Sequence, residues 1–181
     1  MCKPIRRPRR TLSAFAMKPG IAMSIEDPIT VVLEQEEDYA FRIRFEGLDV
    51  PDVLADEAVP LGHDGGPNPA RLLLAGIANC LSASLLFALR KHRNVPGRLR
   101  ASITAVPVRN AQGRWRLPRV HATLRLPDAT ADYQHLERVL ETFEDYCLVT
   151  QSVREGIDVQ VTVTDAAGNV LRGDRTIEAG I

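Results

Sequence analysis

Leu72-Leu73-Leu74-Ala75-Gly76-Ile77-Ala78-Asn79-Cys80-Leu81-Ser82-Ala83-Ser84-Leu85-Leu86 is an apolar run broken only by small or weakly polar side chains. It follows a turn-rich stretch, His63-Asp64-Gly65-Gly66-Pro67-Asn68-Pro69, in which Asn68 is a natural N-cap and Pro69 suits the first helical position. The helix so opened is predicted to run to about Lys91-His92, with Arg90, Lys91 and Arg93 favourable at its C-terminal end. It is apolar nearly all round as far as Leu89, so it is expected to be buried on most sides. A chain of 181 residues has difficulty enclosing such a helix alone, and dimerisation is the natural remedy. The run is diluted by Asn79, Ser82, Ser84, alanines and a glycine, which favours a core helix over a membrane span.

Outward from this helix the chain alternates. Tyr39 to Phe45 puts Arg42 and Arg44 on one face and apolar residues on the other. Val120 to Leu126 and Ile157 to Thr164 repeat the pattern, and Leu99 to Val108 with Arg114 to Leu117 reads as a hairpin across Asn110-Ala111-Gln112-Gly113. One-sided alternation with short turns predicts antiparallel sheet. A second helix is expected from about Asp132, burying Leu136, Val139, Leu140 and Phe143. Asp145 is a candidate cap for a further short helix carrying Cys147 and ended by Gly156. Strands and helices out of strict alternation give an α+β fold.

Composition is that of an ordinary globular protein, 45% hydrophobic and 25% charged, with formal net charge zero. The balance is uneven. Residues 1–22 carry six basic and no acidic side chains, leaving 17 basic against 23 acidic from Met23 onward. An acidic body argues against nucleic acid as a partner. The basic arm reads as a tether to nucleic acid or an anionic membrane, a targeting segment, or a disordered extension or start-site artefact, and residues 23–181 as one domain. Three cysteines are too few for a disulfide-stapled secreted fold, and a cytoplasmic protein without membrane partner is expected.

Two cysteines carry the chemistry. Cys80, mid-helix, gains nothing from the helix dipole, and among leucines and alanines it is either an inert core residue or a thiol activated by a nearby cation. Arg42 and Arg44 are the candidates for that cation. Cys147, in Asp145-Tyr146-Cys147-Leu148-Val149-Thr150-Gln151-Ser152-Val153-Arg154, is either better placed electrostatically, at the start of a short helix, or another buried stripe residue. Neither belongs to a C-x-x-C pair, His63, His92, His121 and His135 are scattered, and no metal or other cofactor is expected.

Gly65-Gly66-Pro67-Asn68-Pro69, the helix through Asn79-Cys80, and Asp145 to Ile157 leading into a Val-rich strand together resemble the OsmC/Ohr family of osmotically inducible and organic hydroperoxide resistance proteins. The likeness spans roughly Thr30 to Asp165, and the spacing of 67 residues between the thiols resembles the family's. It implies an intertwined homodimer with antiparallel sheets wrapped around long central helices. It also implies a thiol peroxidase acting on organic hydroperoxides in oxidative-stress defence. Cys80 would become a sulfenic acid, Cys147 would resolve it to a disulfide, and an external dithiol or lipoyl-type reductant would restore both thiols. By position, Arg42, with Arg44 second, would be the activating arginine. The chain departs from the family at Ala70, where the peroxidases place a glutamate after Asn-Pro to anchor that arginine. Glu57 and Asp56 are the carboxylates able to replace it, and a catalytically weak dimer that binds an apolar ligand is the alternative expectation.

Overall fold

The computed structural model describes residues 28–154, 156 and 158–173; the basic arm lies outside the described residues. Strands β1 (Val31–Glu37), β2 (Ala40–Phe45) and β3 (Val53–Ala55) form an antiparallel sheet in that order. A loop leads to α1 (Pro69–Lys91). Then follow β4 (Arg100–Ala105), a two-residue-deep hairpin of β5 (Val108–Arg109) and β6 (Trp115–Arg116), and β7 (Arg119–Arg125). Helices α2 (Leu136–Thr142) and α3 (Leu148–Val153) precede β8 (Asp158–Thr164) and β9 (Val170–Arg172). The second sheet runs β4-β7-β8-β9. The architecture is α+β.

Alternation sets the faces of the second sheet. Val120, Ala122 and Leu124 of β7 and Val163 of β8 are buried against α1, joined by Ile103 and Ala105 of β4. Helix α1 returns Ile77, Leu81, Leu85, Ala88 and Leu89, a stripe at helical spacing. Its start is as predicted: the Asn68 side chain accepts a hydrogen bond from the Arg71 N–H at 3.0 Å, and Pro69 occupies the first turn. It differs in burial. Ala75, Gly76, Asn79, Ala83 and Phe87 are exposed, so a single chain covers one face of α1 and leaves the opposite one open. By length and composition alone α1 is apolar enough to cross a membrane, but its packed face belongs to the core.

Four local expectations change. β8 pairs with β7 in parallel, Arg119 opposite Asp158 through Arg125 opposite Thr164, because a long crossover containing α2 and α3 separates them. The segment Leu99 to Val108 divides at Val106-Pro107. Its first half pairs with β7, and only Val108–Arg109 joins the hairpin. Pro107 has no N–H to continue a ladder. The second helix begins at Leu136 rather than Asp132. Asp132 instead closes a 3-10 turn by accepting from the Ala129 N–H, and His135 turns left-handed. Asp145 caps nothing; it lies within a 3-10 turn, Phe143–Tyr146, and Cys147 itself is the N-cap residue of α3.

Candidate functional site

The crossover from β7 to β8 passes over α1, and it is there that the two thiols meet. Asn94, buried just beyond α1, exchanges hydrogen bonds with the Gln134 backbone (2.7 and 2.9 Å), fixing the start of the crossover. Leu136, Val139 and Phe143 of the α2 region bury against α1. Tyr146 packs edge-on against Phe87 with ring centroids 5.2 Å apart, and Lys91 Nζ donates to its hydroxyl at 3.0 Å. The chain is thereby drawn down onto α1 at Cys147.

Cys147 is fully buried, and its sulfur lies within hydrogen-bonding reach of the half-buried Cys80. Both are free thiols. Burial pushes the Cys147 pKa up, the neighbouring Cys80 thiol pushes it further, and Thr150 partly opposes both. Thr150 Oγ1 is 2.9 Å from Cys147 Sγ. The electrostatic help expected for Cys147 at a helix start is therefore outweighed by its loss of solvent.

Glu144 underlies this segment. Its carbonyl accepts from the Cys147 N–H (2.9 Å) and Gln151 Nε2 (3.1 Å), while its buried carboxylate pairs with Arg154 beyond α3 and Arg172 on β9. Arg172 also lies over the Phe143 ring, 4.8 Å from its centroid. Neither Glu144 nor Thr150 stood out in the sequence. The Cys-x-x-Thr spacing at a helix start was the available signal for Thr150, whereas the partners of Glu144 come from distant segments.

Arg42 and Arg44 lie elsewhere. They project from the exposed face of β2 and pair with β1: Arg42 Nε donates to Glu36 at 2.6 Å, and Arg44 is 3.8 Å from Glu34. Within the chain neither is hydrogen-bonded to Cys80. Asp56 is also committed, its carboxylate accepting from the His63 and Gly65 N–H groups (2.8 and 3.0 Å), which lower its pKa. It shapes the tight loop into α1, where a Cβ at Gly66 would collide with the Leu54 carbonyl. Glu57 is different. It approaches Asn68 Nδ2 at 3.4 Å and shares a cleft of about 1190 Å³ with Ala70, Leu73, Val108, Trp115 and Leu117. The cleft opens at the start of α1. Leu73 is two turns, about 10 Å, from Cys80 along the helix. Among the described residues no group of three His, Cys, Asp or Glu side chains is gathered that could hold a metal ion.

The model of the OsmC-like protein family matches residues 62–162, which include both thiols, α1 and the crossover. The chain belongs to the OsmC/Ohr family. Its fold is similar to that of an OsmC-like protein of unknown function from Vibrio cholerae (TM-score 0.64, 16% identity, 76% of this chain and 99% of that one). It is also similar to an organic hydroperoxide resistance protein from Elizabethkingia anophelis (TM-score 0.62, 18% identity, 79% and 99%). A third such structure is an organic hydroperoxide resistance protein of Bacillus subtilis (TM-score 0.58, 16% identity, 76% and 98%). No curated protein matches the sequence significantly.

Proposed function

We propose that the protein is a thiol-dependent peroxidase that reduces organic hydroperoxides. The observation that carries this reading is the adjacency of Cys80 and Cys147, one half-exposed and one buried. Exposure divides the roles. Cys80 is the sulfur a peroxide reaches first, while Cys147, kept protonated by burial, is the weaker nucleophile near neutral pH and acts second. The Cys80 thiolate attacks the peroxide O–O bond, taking one oxygen as sulfenic acid, and the alkoxide leaves with a proton as alcohol. Cys147 then attacks the sulfenic sulfur, water departs, and the disulfide is returned to two thiols by an external dithiol. Family membership and the likeness to hydroperoxide resistance proteins support the assignment. Arg42, with Arg44 second, remains the proposed activating cation, reaching a thiol pair only across an interface with a second copy.

Ala70 and the apolar cleft favour a second reading, a member that binds an apolar ligand without reducing peroxide. Intact mass after one equivalent of cumene hydroperoxide separates the two in a Cys2→Ser background. The peroxidase loses two hydrogens, its Cys147→Ser variant retains one added oxygen, and its Cys80→Ser variant is unchanged. A parent protein that stays reduced in excess peroxide overturns the peroxidase reading and leaves the ligand-binding one.

A further inference from the structure

We propose that the concavity at the Arg100–Arg125 end of the second sheet binds a small phosphomonoester. Arg98, Arg100 and Arg125 line it together with Leu126, Pro127 and Ala166, around a volume of about 320 Å³. Arg100 on β4 stands directly opposite Arg125 on β7. Both project from the outer face, since the inward positions of these strands are the apolar ones. Like charges directly opposite one another destabilise a sheet, and Arg98 adds a third positive group. Among the described residues no carboxylate pairs with any of the three. The acids of the adjoining loops are engaged elsewhere. Asp128 accepts from the Tyr133 hydroxyl at 2.9 Å and the Gly97 N–H at 3.3 Å, and buried Asp165 accepts from Asn169 twice, at 2.9 Å.

The site is partly preorganised. Arg125 Nη2 donates to the Ala166 carbonyl, in a turn closed by the Asp165 N–H to Asn169 carbonyl bond (3.0 Å) and the Gly168 N–H to Asp165 carbonyl bond (3.1 Å). Holding one guanidinium in place reduces the side-chain freedom an anion must remove. Three guanidinium forks suit a tetrahedral dianion better than a planar carboxylate, which a single fork satisfies. Leu126, Pro127 and Ala166 offer an apolar wall for the organic part of an ester, in a volume at the lower end for small-molecule sites. The acidic body disfavours a long polyanion. The site lies on the sheet face opposite the thiol pair and is independent of the peroxidase reading.

Calorimetric titration of the reduced full-length chain with inorganic phosphate and with glycerol 3-phosphate, at ionic strength fixed with sodium chloride, tests this. Both are expected to bind saturably at one site. Arg100→Gln and Arg98→Gln should each weaken binding by about tenfold or more, while Arg114→Gln, outside the concavity, leaves it unchanged. Without ligand, Arg100→Gln should raise Tm, because it removes a like-charge pair. Non-saturable binding, equal affinity in Arg100→Gln, Arg98→Gln and parent protein, or binding of inorganic phosphate alone overturns the assignment. Preferential capture by phosphatidylcholine vesicles doped with phosphatidic acid overturns it in favour of a membrane headgroup.

Discussion

Cys147 gives up solvent on every side, and the cost falls on its thiolate. Burial first, and the Cys80 thiol second, raise its pKa above the ordinary thiol value of about 8.5. The folded chain therefore holds this proton more tightly than the unfolded chain. The stability so gained is fully present below the unfolded pKa and is lost as pH rises through the folded one. Under reducing conditions, unfolding free energy should fall more steeply as pH rises above about 8.5 in the parent protein than in Cys147→Ala. Parallel pH profiles would show that ionisation of this thiol is not linked to folding. At the same scale Thr150 and Glu144 escaped the sequence for different reasons. A hydroxyl three residues from a cysteine is unremarkable until a helix begins there. A glutamate amid polar residues announces nothing about the two arginines that reach it from beyond α3 and from β9.

At the level of elements, Glu144 ties the 3-10 turn before Cys147 to α3 and β9 through one buried carboxylate. Glu144→Ala takes from Arg154 and Arg172 the buried carboxylate they share, leaving Asp145 as the remaining nearby counter-charge to Arg172. The expected loss is about 2 kcal/mol, below the ~3–5 of a fully buried pair because both arginines keep a third or more of their surface in water. Urea unfolding measures it, and a change under about 0.5 kcal/mol would place these pairs with ordinary surface ones. Elements with strong local signals were legible in advance. Asn68-Pro69 marked the start of α1, and alternation marked β2, β7 and β8. The direction of β8 was not legible, because alternation is the same in parallel and antiparallel pairing and only the intervening crossover decides. The short β3 and β9, of three residues each, carry too little pattern to stand out.

For the whole molecule, the first sheet and α1 each leave apolar surface uncovered. Ile29, Val31 and Leu33 are exposed on and beside β1, Phe87 is exposed on α1, and the first sheet packs little against the second layer. The small side chains Ala75, Gly76 and Ala83 on the open face of α1 permit close approach of another helix. A second copy is the proposed cover. Analytical ultracentrifugation should give twice the 20.0 kDa chain mass, with Leu33→Glu and Phe87→Glu shifting the population to monomer. A monomeric parent protein would remove both the dimer and the route by which Arg42 reaches a thiol pair. The crossover has one more consequence. A bond from Cys147 to Cys80 would fasten the β7–β8 excursion to the central helix and enclose the 66 residues between them, a restriction on the unfolded state of about 4 kcal/mol. Oxidant would then leave the molecule tougher rather than damaged, and survival against a protease would serve as a ledger of how much peroxide it had met.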